Sequence, residues 1–320
     1  MNPNRAIHNT SALHDVTTQL LRDWPLPMPG AEGDKEERGH VLILGGSREM
    51  PGAVILAATA ALRAGAGKLT VATGASVAQL VALAMPEALV IGLAETDTGG
   101  FLPEAIARLD PLADRVNAIL IGPGMQDEEA TAALVHGLLE RLHGSEGTSQ
   151  PAIVLDACAM GTLLYAPQGP ASDQAFRFRQ PVILTPHCGE MAHLTGIEKD
   201  DIVADPDARA RASAAAWNAV VALKGARTVI ASPDGDMWQH EGGNVGLAIS
   251  GSGDTLAGII AGLAARGATL EQAACWGVAL HARAGERLAE RMGVLGYLAR
   301  EIPNEIPALL ESVAGLKAGD

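Results

Sequence analysis

From residue 40 onward, short apolar runs alternate with alanine-rich stretches that are long enough to form helices. The runs are VLIL (41–44), KLTVA (68–72), NAILIG (117–122), AIVLD (152–156), PVILT (181–185) and VVALK (220–224). Continuously apolar strands separated by helices are typical of a parallel sheet that helices cover on both faces. The sequence therefore predicts an α/β fold with a mostly parallel central sheet, and ligands of such folds bind at the carboxyl ends of the strands.

The rest of the chain is organised around this core. Residues 1–38 are predicted to hold one helix, over about residues 11–22, and then a loop rich in Pro, Gly and charge. Residues 39–315 are predicted to form a single domain, and residues 143–151 a solvated linker. After residue 253 the chain reads as almost entirely helical, and its last helix is expected near 304–314.

Charge and composition argue against several classes of partner. A net charge of −14 and only 3% aromatic residues disfavour nucleic acid, whose backbone needs a basic surface. No apolar run reaches the roughly 20 residues that span a bilayer, and the first residues lack a signal-peptide pattern. The cysteines are Cys158, Cys188 and Cys275. Their odd number and scattered spacing indicate a reducing compartment without a zinc site, so we expect a cytoplasmic protein.

The segment SGSGD (250–254) runs directly into the helical stretch TLAGIIAGLAA. Two glycines allow the backbone to approach a phosphate closely, and the helix start offers free N–H groups with a partial positive charge. Within this anion cradle, the Asp254 carboxylate can accept the proton of a hydroxyl that attacks a phosphoryl group. The alternative is an ordinary helix-capping aspartate. The paired glycines favour function, and Gly258 and Gly262 continue the same helix face.

Two further segments follow predicted strand ends. In residues 223–240, Lys224 and the turn 225–228 precede a hairpin closed at residues 233–235, well placed to contact nucleotide phosphates or ribose. An ordinary hairpin with a surface lysine is equally compatible with this pattern. In LTPHCGEM (184–191), His187 can donate to a ligand and Glu190 can orient a hydrated Mg²⁺ ion, although a lone histidine is more often structural.

Glycine turns follow two of the other strands. The sequence VLILGGSREMPGA lacks the G-x-G-x-x-G fingerprint, which excludes a hydride-transfer dinucleotide site of that kind. The Gly-Pro-Gly turn at residues 122–124 is a weak signal when taken alone.

In this order, the motifs resemble the NAD(P)H-hydrate dehydratase family of the ribokinase-like superfamily. The motifs are GHVLILGGSREMPGAVILAATAALRAGAGKLTVAT, MPEAL, IGPG, VLDA, LTPHCGEM, LKGARTVIASPDG and GSGDTLAGIIAGLAA. The resemblance covers residues 39–290. It implies a ribokinase-like three-layer α/β/α fold and a hydro-lyase that uses ADP or ATP, with Mg²⁺, to dehydrate hydrated NADH or NADPH. Related two-domain proteins carry an epimerase domain first; only about 38 residues precede the match here, so we expect no epimerase activity.

The resemblance also implies roles for particular residues. Asp254 would be the catalytic base and would touch the hydrated cofactor. Substrate would lie against Ala53, Gly124 and His187. The adenine nucleotide would be bound by Lys224, Gly225, Ala226, Arg227, Thr228 and Gly253. Three departures concern the substrate pocket rather than the reaction: Cys188 replaces a proline, Met50-Pro51 replaces an aromatic stretch, and DACAM (156–160) is less acidic than usual.

Several alternatives stay open at the level of sequence. A small-molecule kinase of the hydroxyethylthiazole or hydroxymethylpyrimidine type shares the Gly-Asp helix start, and a non-catalytic nucleotide sensor is a second rival. Burial would raise the pKa of Asp254, whereas the helix dipole would lower it. The choice between ADP and ATP, and between the hydrates of NADH and NADPH, is not determined. Families of this kind often form homo-oligomers, for which the C-terminal helices could serve.

Overall fold

The computed structural model describes residues 12–30, 33–113, 115–143, 150–165 and 176–315. Its strands are β1 (Leu13–Asp15), β2 (His40–Leu44), β3 (Lys68–Gly74), β4 (Leu89–Leu93), β5 (Ala118–Ile121), β6 (Ala152–Leu155), β7 (Val182–Leu184), β8 (Ala219–Leu223), β9 (Arg227–Ala231) and β10 (Met237–Glu241). Within the described residues they form one sheet in the order β1-β10-β9-β8-β7-β6-β5-β2-β3-β4. Only β9 runs antiparallel to its neighbours, which confirms a mostly parallel sheet.

The six apolar runs all form strands, and the hairpin of β9 and β10 turns at Gly235 as predicted. Gly235 has a φ of +97°, a conformation that glycine adopts without steric cost. The sequence analysis missed β1 and β4, both of which lie at edges of the sheet. The strand β1 is only three residues long and largely polar, so it carries no period by which a strand could be recognised.

Helices cover both faces of the sheet. They are α1 (Thr18–Asp23), α2 (Pro51–Arg63), α3 (Ala78–Ala84), α4 (Asp110–Ala113), α5 (Glu128–His143), α6 (Cys188–Thr195), α7 (Lys199–Ala204), α8 (Pro206–Trp217), α9 (Ser252–Ala265), α10 (Leu270–Met292) and α11 (Ile302–Ala314). The helical C-terminal part is therefore confirmed. None of the helices in the described ranges is long and apolar enough to cross a membrane.

Strand β2 shows how the sheet divides the interior into two cores. Val41 and Ile43 point into one core, which α2, α9, α10 and α11 share. Leu42 and Leu44 point into the other, which α5, α6 and α8 share. All four side chains are buried because successive residues of a strand face opposite sides of a sheet and both sides are covered here. The three-layer arrangement expected from the apolar runs is thus confirmed.

Helices α2 and α9 pack unusually closely. A Cβ atom on Gly258 would lie 2.2 Å from the Ala57 carbonyl oxygen, and one on Gly262 would lie 2.5 Å from that of Ala61. These glycines allow the two helix backbones to touch. The glycine face of α9 therefore serves packing, and it fixes the position of the helix start that carries Asp254.

The N-terminal segment differs from the prediction. The helix expected over about 11–22 is wrong in its extent, because Leu13–Asp15 pairs with β10 and the helix begins only at Thr18, after the Thr17 cap. Residue 11 lies outside the described residues. The Trp24 carbonyl accepts a hydrogen bond of 2.9 Å from Trp276 Nε1 and so ties the segment to α10. The domain boundary at residue 39 stays a prediction, and the linker expected over 143–151 lies largely outside the described residues.

The close contact between α2 and α9 can be tested with Gly258→Ala. The added methyl group would press on the Ala57 carbonyl, so we expect the free energy of unfolding to fall by about 1–3 kcal/mol. Gly52→Ala is the matched control, since nothing lies within 4 Å of its Cβ position and alanine favours the helix. Chemical denaturation of both variants measures the difference. Equal stabilities would contradict the packing argument.

Candidate active site

The carboxyl ends of β6, β7 and β8 meet at one edge of the sheet, facing the start of α9. Asp156 follows β6, Thr185 and His187 follow β7, and Lys224 follows β8. The Lys224 backbone N–H donates to the Pro186 carbonyl at 2.7 Å, and His187 and Lys224 form an isolated parallel bridge. The bridge extends the sheet by one residue pair, and it brings the predicted substrate-side His187 next to the predicted nucleotide-side Lys224.

Helix α9 starts inside the Gly-Ser-Gly-Asp motif. Gly251 is the residue before the first helical turn and has a φ of +87°, and Asp254 is the third residue of the helix. Asp254 is therefore not the helix cap, and the capping alternative is excluded. The first N–H groups of any helix lack intrahelical partners. Among the described residues, no backbone acceptor pairs with the N–H groups of Gly253 and Asp254, so both can meet an anion.

The ammonium group of Lys224 lies at the centre of this edge. Its Nζ is 3.4 Å from Asp156 Oδ1 and 3.7 Å from Glu190 Oε2. A side chain on Gly253 would begin only 3.5 Å from the same Nζ. Burial acts to lower the pKa of Lys224, but the neighbouring carboxylates outweigh it and raise that pKa above its ordinary value. The lysine is therefore cationic at neutral pH.

The carboxyl group of Asp254 has a raised pKa. Burial, together with the nearby negative charge of Asp156, raises the pKa of Asp254 to about 6, and the attraction of Lys224 only partly offsets this. The sequence left open whether burial or the helix dipole would dominate. Burial dominates. A carboxylate with a pKa near 6 is a better proton acceptor than an ordinary aspartate and is still ionised at neutral pH.

The His187 side chain is held in one tautomer. Its Nδ1 accepts hydrogen bonds from the N–H groups of Gly189 at 2.9 Å and Glu190 at 3.0 Å. In turn, Glu190 Oε2 accepts a hydrogen bond from the His187 backbone N–H at 2.8 Å. This capping box fixes the start of α6. In the neutral ring the proton must then reside on Nε2, which is exposed and can donate to a ligand.

The two predicted substrate contacts that lie far apart in sequence are neighbours in space. Gly124 has a φ of +68°, and a Cβ on it would lie 2.8 Å from the Ala53 Cβ and 2.5 Å from the Met50 carbonyl oxygen. The Gly46 N–H donates to the Pro123 carbonyl at 2.7 Å and holds the two turns together. This contact lies where β2 and β5 adjoin, the point at which the strand order reverses and α/β folds bind ligands.

The turn after Lys224 exposes backbone rather than charge. Gly225 and Ala226 are exposed, and the Thr228 hydroxyl donates to the Gly225 carbonyl at 3.5 Å. The guanidinium of Arg227 is engaged elsewhere, with Asp207 at 2.8 Å and Gln239 at 2.5 Å. The structure therefore leaves the main chain and small side chains of the turn open to a nucleotide, while the Arg227 side chain binds within the protein.

Two residues of the site were missed in the sequence analysis. Asp156 is 3% exposed and accepts a hydrogen bond of 2.6 Å from Thr185 Oγ1. Both residues stand directly after apolar strands, and that position is the signal by which they could have been found. Its weakness is that many strand ends carry polar residues, so only the spatial contacts, of Asp156 with Lys224 and of Thr185 with Asp156, distinguish these two.

A third missed residue is His281, on α10. Its Nε2 lies 3.0 Å from Ser252 Oγ and 3.1 Å from the Ser252 carbonyl oxygen. Burial lowers the pKa of His281 to about 4, so the ring is neutral at physiological pH. The contact attaches the Gly-Ser-Gly-Asp segment to α10 through Ser252. No sequence signal connects His281 to the motif, because the two are separated by the whole of α9.

Comparisons with known proteins identify the family of the chain. A family model described as NAD(P)H-hydrate dehydratase matches residues 41–308. The chain belongs to the NAD(P)H-hydrate dehydratase family. It is 51% identical, over 92% of its length and 96% of the relative, to an ADP-dependent (S)-NAD(P)H-hydrate dehydratase of Xanthomonas campestris pv. campestris.

Similar solved structures have the same fold. The ADP/ATP-dependent NAD(P)H-hydrate dehydratase from Bacillus subtilis, co-crystallised with ATP/Mg²⁺, matches with a TM-score of 0.76 and 30% identity, covering 94% of this chain and 99% of that one. A ribokinase-like superfamily protein from Enterococcus faecalis matches with a TM-score of 0.75 and 27% identity, covering 96% and 99%. The ribokinase-like fold is therefore confirmed.

The raised pKa of Asp254 has a consequence for stability. An ionised carboxylate whose pKa is higher in the folded than in the unfolded chain opposes folding, fully above pH 6 and not at all below about pH 4. We therefore expect Asp254→Asn to raise the free energy of unfolding at pH 7 by on the order of 1 kcal/mol, an advantage that disappears as the pH falls through 6 towards 4. Urea denaturation across this pH range measures it.

The exposed Asp97 provides the matched control, because Asp97→Asn makes the same change of net charge on the surface. That variant should unfold like the unmodified protein throughout. A lower stability of Asp254→Asn at pH 7 would contradict the raised pKa.

Proposed function

We propose that this protein removes water from hydrated NADH or NADPH, with ADP or ATP as the phosphoryl donor. The observation that carries the proposal is the Asp254 carboxylate, in the first turn of α9, with a pKa of about 6 and the Lys224 ammonium beside it. The high identity to an ADP-dependent dehydratase supports the same reaction.

The chemistry requires a leaving group better than hydroxide. Asp254 accepts the proton of the ring hydroxyl while the hydroxyl oxygen attacks the terminal phosphorus of the nucleotide. ADP becomes AMP, or ATP becomes ADP, and the substrate becomes a phosphate ester. The lone pair of the ring nitrogen then expels phosphate, and loss of a proton from the adjacent carbon restores the double bond. A base with a pKa near 6 suits the first step, because it is ionised at pH 7 yet binds a proton readily.

The nucleotide side of the site is supported by three features. The N–H groups of Gly253 and Asp254 form the anion-binding start of α9. Lys224 adds a positive charge next to Gly253, and the exposed main chain of residues 225–228 is available for the ribose and adenine. In this assignment Arg227 contributes its backbone, since its guanidinium is bound to Asp207 and Gln239.

The substrate side is supported by the neighbouring pair Ala53 and Gly124 and by the Nε2–H donor of His187. The small size of Ala53 and Gly124 leaves room for a flat ring against the backbone, and Gly124 has no space for a side chain. His187 is bridged to Lys224, so a substrate hydrogen-bonded to His187 would lie close to the phosphates. The nucleotide phosphates and the hydrated cofactor can then both reach Asp254.

The charges at the site favour a divalent cation. One ammonium faces the carboxylates of Asp156, Glu190 and Asp254, and a polyphosphate adds further negative charge. Within the described ranges no group of three or more acidic, His or Cys side chains could hold a metal unaided. A Mg²⁺ ion would therefore arrive with the nucleotide, bound mainly by phosphate oxygens and water, with Glu190 accepting from one of those waters. The ion would neutralise phosphate charge during transfer.

The cellular setting fits this reaction. The proposed setting is the cytoplasm, a reducing compartment in which the three free cysteines would stay reduced. The rival assignment is a kinase for a small alcohol. It would use the same base and the same anion cradle, but its phosphate ester would accumulate instead of losing phosphate.

A coupled assay decides between these two activities. Purified protein, ADP or ATP, Mg²⁺ and hydrated NADH or NADPH are mixed, and phosphate release is followed together with the absorbance of the reduced nicotinamide. We expect both signals to appear in equal amounts and chelation of Mg²⁺ to abolish them. Accumulation of a stable phosphorylated product without nicotinamide absorbance would support the kinase instead.

The role of Asp254 predicts a specific kinetic defect. Asp254→Asn keeps the size and polarity of the side chain but cannot accept the proton, so kcat should fall by about 10²- to 10⁴-fold. In the unmodified protein, kcat/KM should decline about tenfold per pH unit below pH 6, as the base becomes protonated. Asp97→Asn serves again as the control. A near-normal kcat for Asp254→Asn would exclude Asp254 as the base.

A further inference from the structure

The buried carboxylate of Asp156 has two partners, both at neighbouring strand ends. Thr185 Oγ1 donates to its Oδ1 at 2.6 Å, and Lys224 Nζ lies 3.4 Å from the same oxygen. Asp156 is 3% exposed, whereas Asp254 is only partly buried. Asp156 is therefore enclosed by protein and is not placed to act on a ligand directly.

The charge of Asp156 is unfavourable for the site in two ways. A buried carboxylate loses hydration, and that loss is recovered only through good partners. Its negative charge also repels the phosphates that the α9 start would bind. Because the charge of Asp156 opposes ligand binding, Asp156 can favour ligand binding only through a second effect.

The second effect is the placement of Lys224. A lysine side chain has many rotamers, and an ammonium has no fixed direction of bonding, so its location depends on what surrounds it. The carboxylates of Asp156 and Glu190 both approach Nζ, at 3.4 and 3.7 Å. The Thr185 hydrogen bond fixes the Asp156 oxygen to which the ammonium is bound. The resulting position puts Nζ directly beside Gly253.

We propose that Asp156, oriented by Thr185, is a positioning residue that holds the Lys224 ammonium beside Gly253, where it meets the phosphates of the nucleotide. This inference rests on the proposed function, since it requires a nucleotide at the start of α9. Asp156 acts through Lys224 and does not touch the reacting atoms.

The Asp156→Asn variant distinguishes positioning from simple charge, because the two effects differ in sign. If Asp156 were only a negative charge near the phosphates, its removal would tighten ADP binding. If it positions Lys224, its removal frees the ammonium and weakens ADP binding. We expect Kd for ADP, measured by titration calorimetry with Mg²⁺ and no second substrate, to rise about 10-fold, the size typical of a lost hydrogen bond to a charged group.

A double-mutant cycle isolates the contribution that passes through the lysine. In a Lys224→Met background there is no ammonium to hold, so adding Asp156→Asn should leave the Kd for ADP unchanged or lower it. The effect of Asp156→Asn thus disappears or reverses in sign. A loss of affinity as large in the Lys224→Met background as in the unmodified protein would overturn the proposal.

Thr185→Val provides a second variant that changes no charge and little volume. It removes the hydrogen bond that orients Asp156, so ADP binding should weaken in the same direction but by less, and it decides the question if Asp156→Asn does not fold. Thr162→Val is the matched control, because Thr162 is also a buried threonine, with its hydroxyl bonded to the Ala159 carbonyl. Thermal unfolding of both variants monitors the fold.

The outcomes separate this inference from the proposed function. If the unmodified protein binds ADP and releases phosphate, but Asp156→Asn and Thr185→Val bind ADP as tightly as it does, only the positioning role is overturned. If the unmodified protein binds neither ADP nor ATP, both the positioning role and the proposed function are overturned. Weakened binding in both variants, with Thr162→Val unaffected, supports the proposal.

Discussion

The ammonium group of Lys224 lies among the carboxylates of Asp156, Glu190 and Asp254, where the ends of β6, β7 and β8 face the start of α9. Asp156 and Glu190 lie within 4 Å of it, and Asp254 is close enough for its charge to contribute to the raised pKa of Lys224. Without a ligand the cluster has more negative than positive charge, and that imbalance is one reason why the pKa of Asp254 rises to about 6. The same imbalance means that a polyphosphate needs accompanying cations. In the proposed reaction, the charges of this cluster therefore contribute, with burial, to the strength of Asp254 as a base and favour a nucleotide that arrives with a cation.

The fold places this cluster by joining two helix starts. Helix α2 carries Ala53, a proposed substrate contact, and helix α9 carries Asp254. Gly258 and Gly262 let the two helices pack backbone to backbone. A side chain on Gly251 would begin 2.4 Å from Leu56 Cδ1, so the motif before α9 also rests on α2. Because the two helices pack directly against each other, a change in one should displace the other. The close packing also explains why both helices are rich in glycine and alanine.

Much of this arrangement was predictable from sequence, for physical reasons that differ between elements. Strands such as VLIL and AIVLD are buried on both faces, so their apolar runs alone identified them and the order of layers. The Gly-Ser-Gly-Asp motif identified Asp254, because an anion-binding helix start requires glycines. The features that the sequence did not reveal depend on the three-dimensional surroundings of a residue. Asp156 contacts Lys224 across 68 positions, the acidity of Asp254 depends on burial, and the short edge strand β1 has no pattern of its own.

The proposed reaction depends on Asp254 being a carboxylate with a pKa close to neutral, held where a phosphoryl group would be transferred. The most direct measurement is an NMR titration of the protein labelled with ¹³C at the aspartate carboxyl carbons, with Asp254→Asn used to assign the resonance. We expect a single resonance, missing in the variant, that titrates with a midpoint near pH 6. A midpoint near the ordinary aspartate value of about 4 would contradict it.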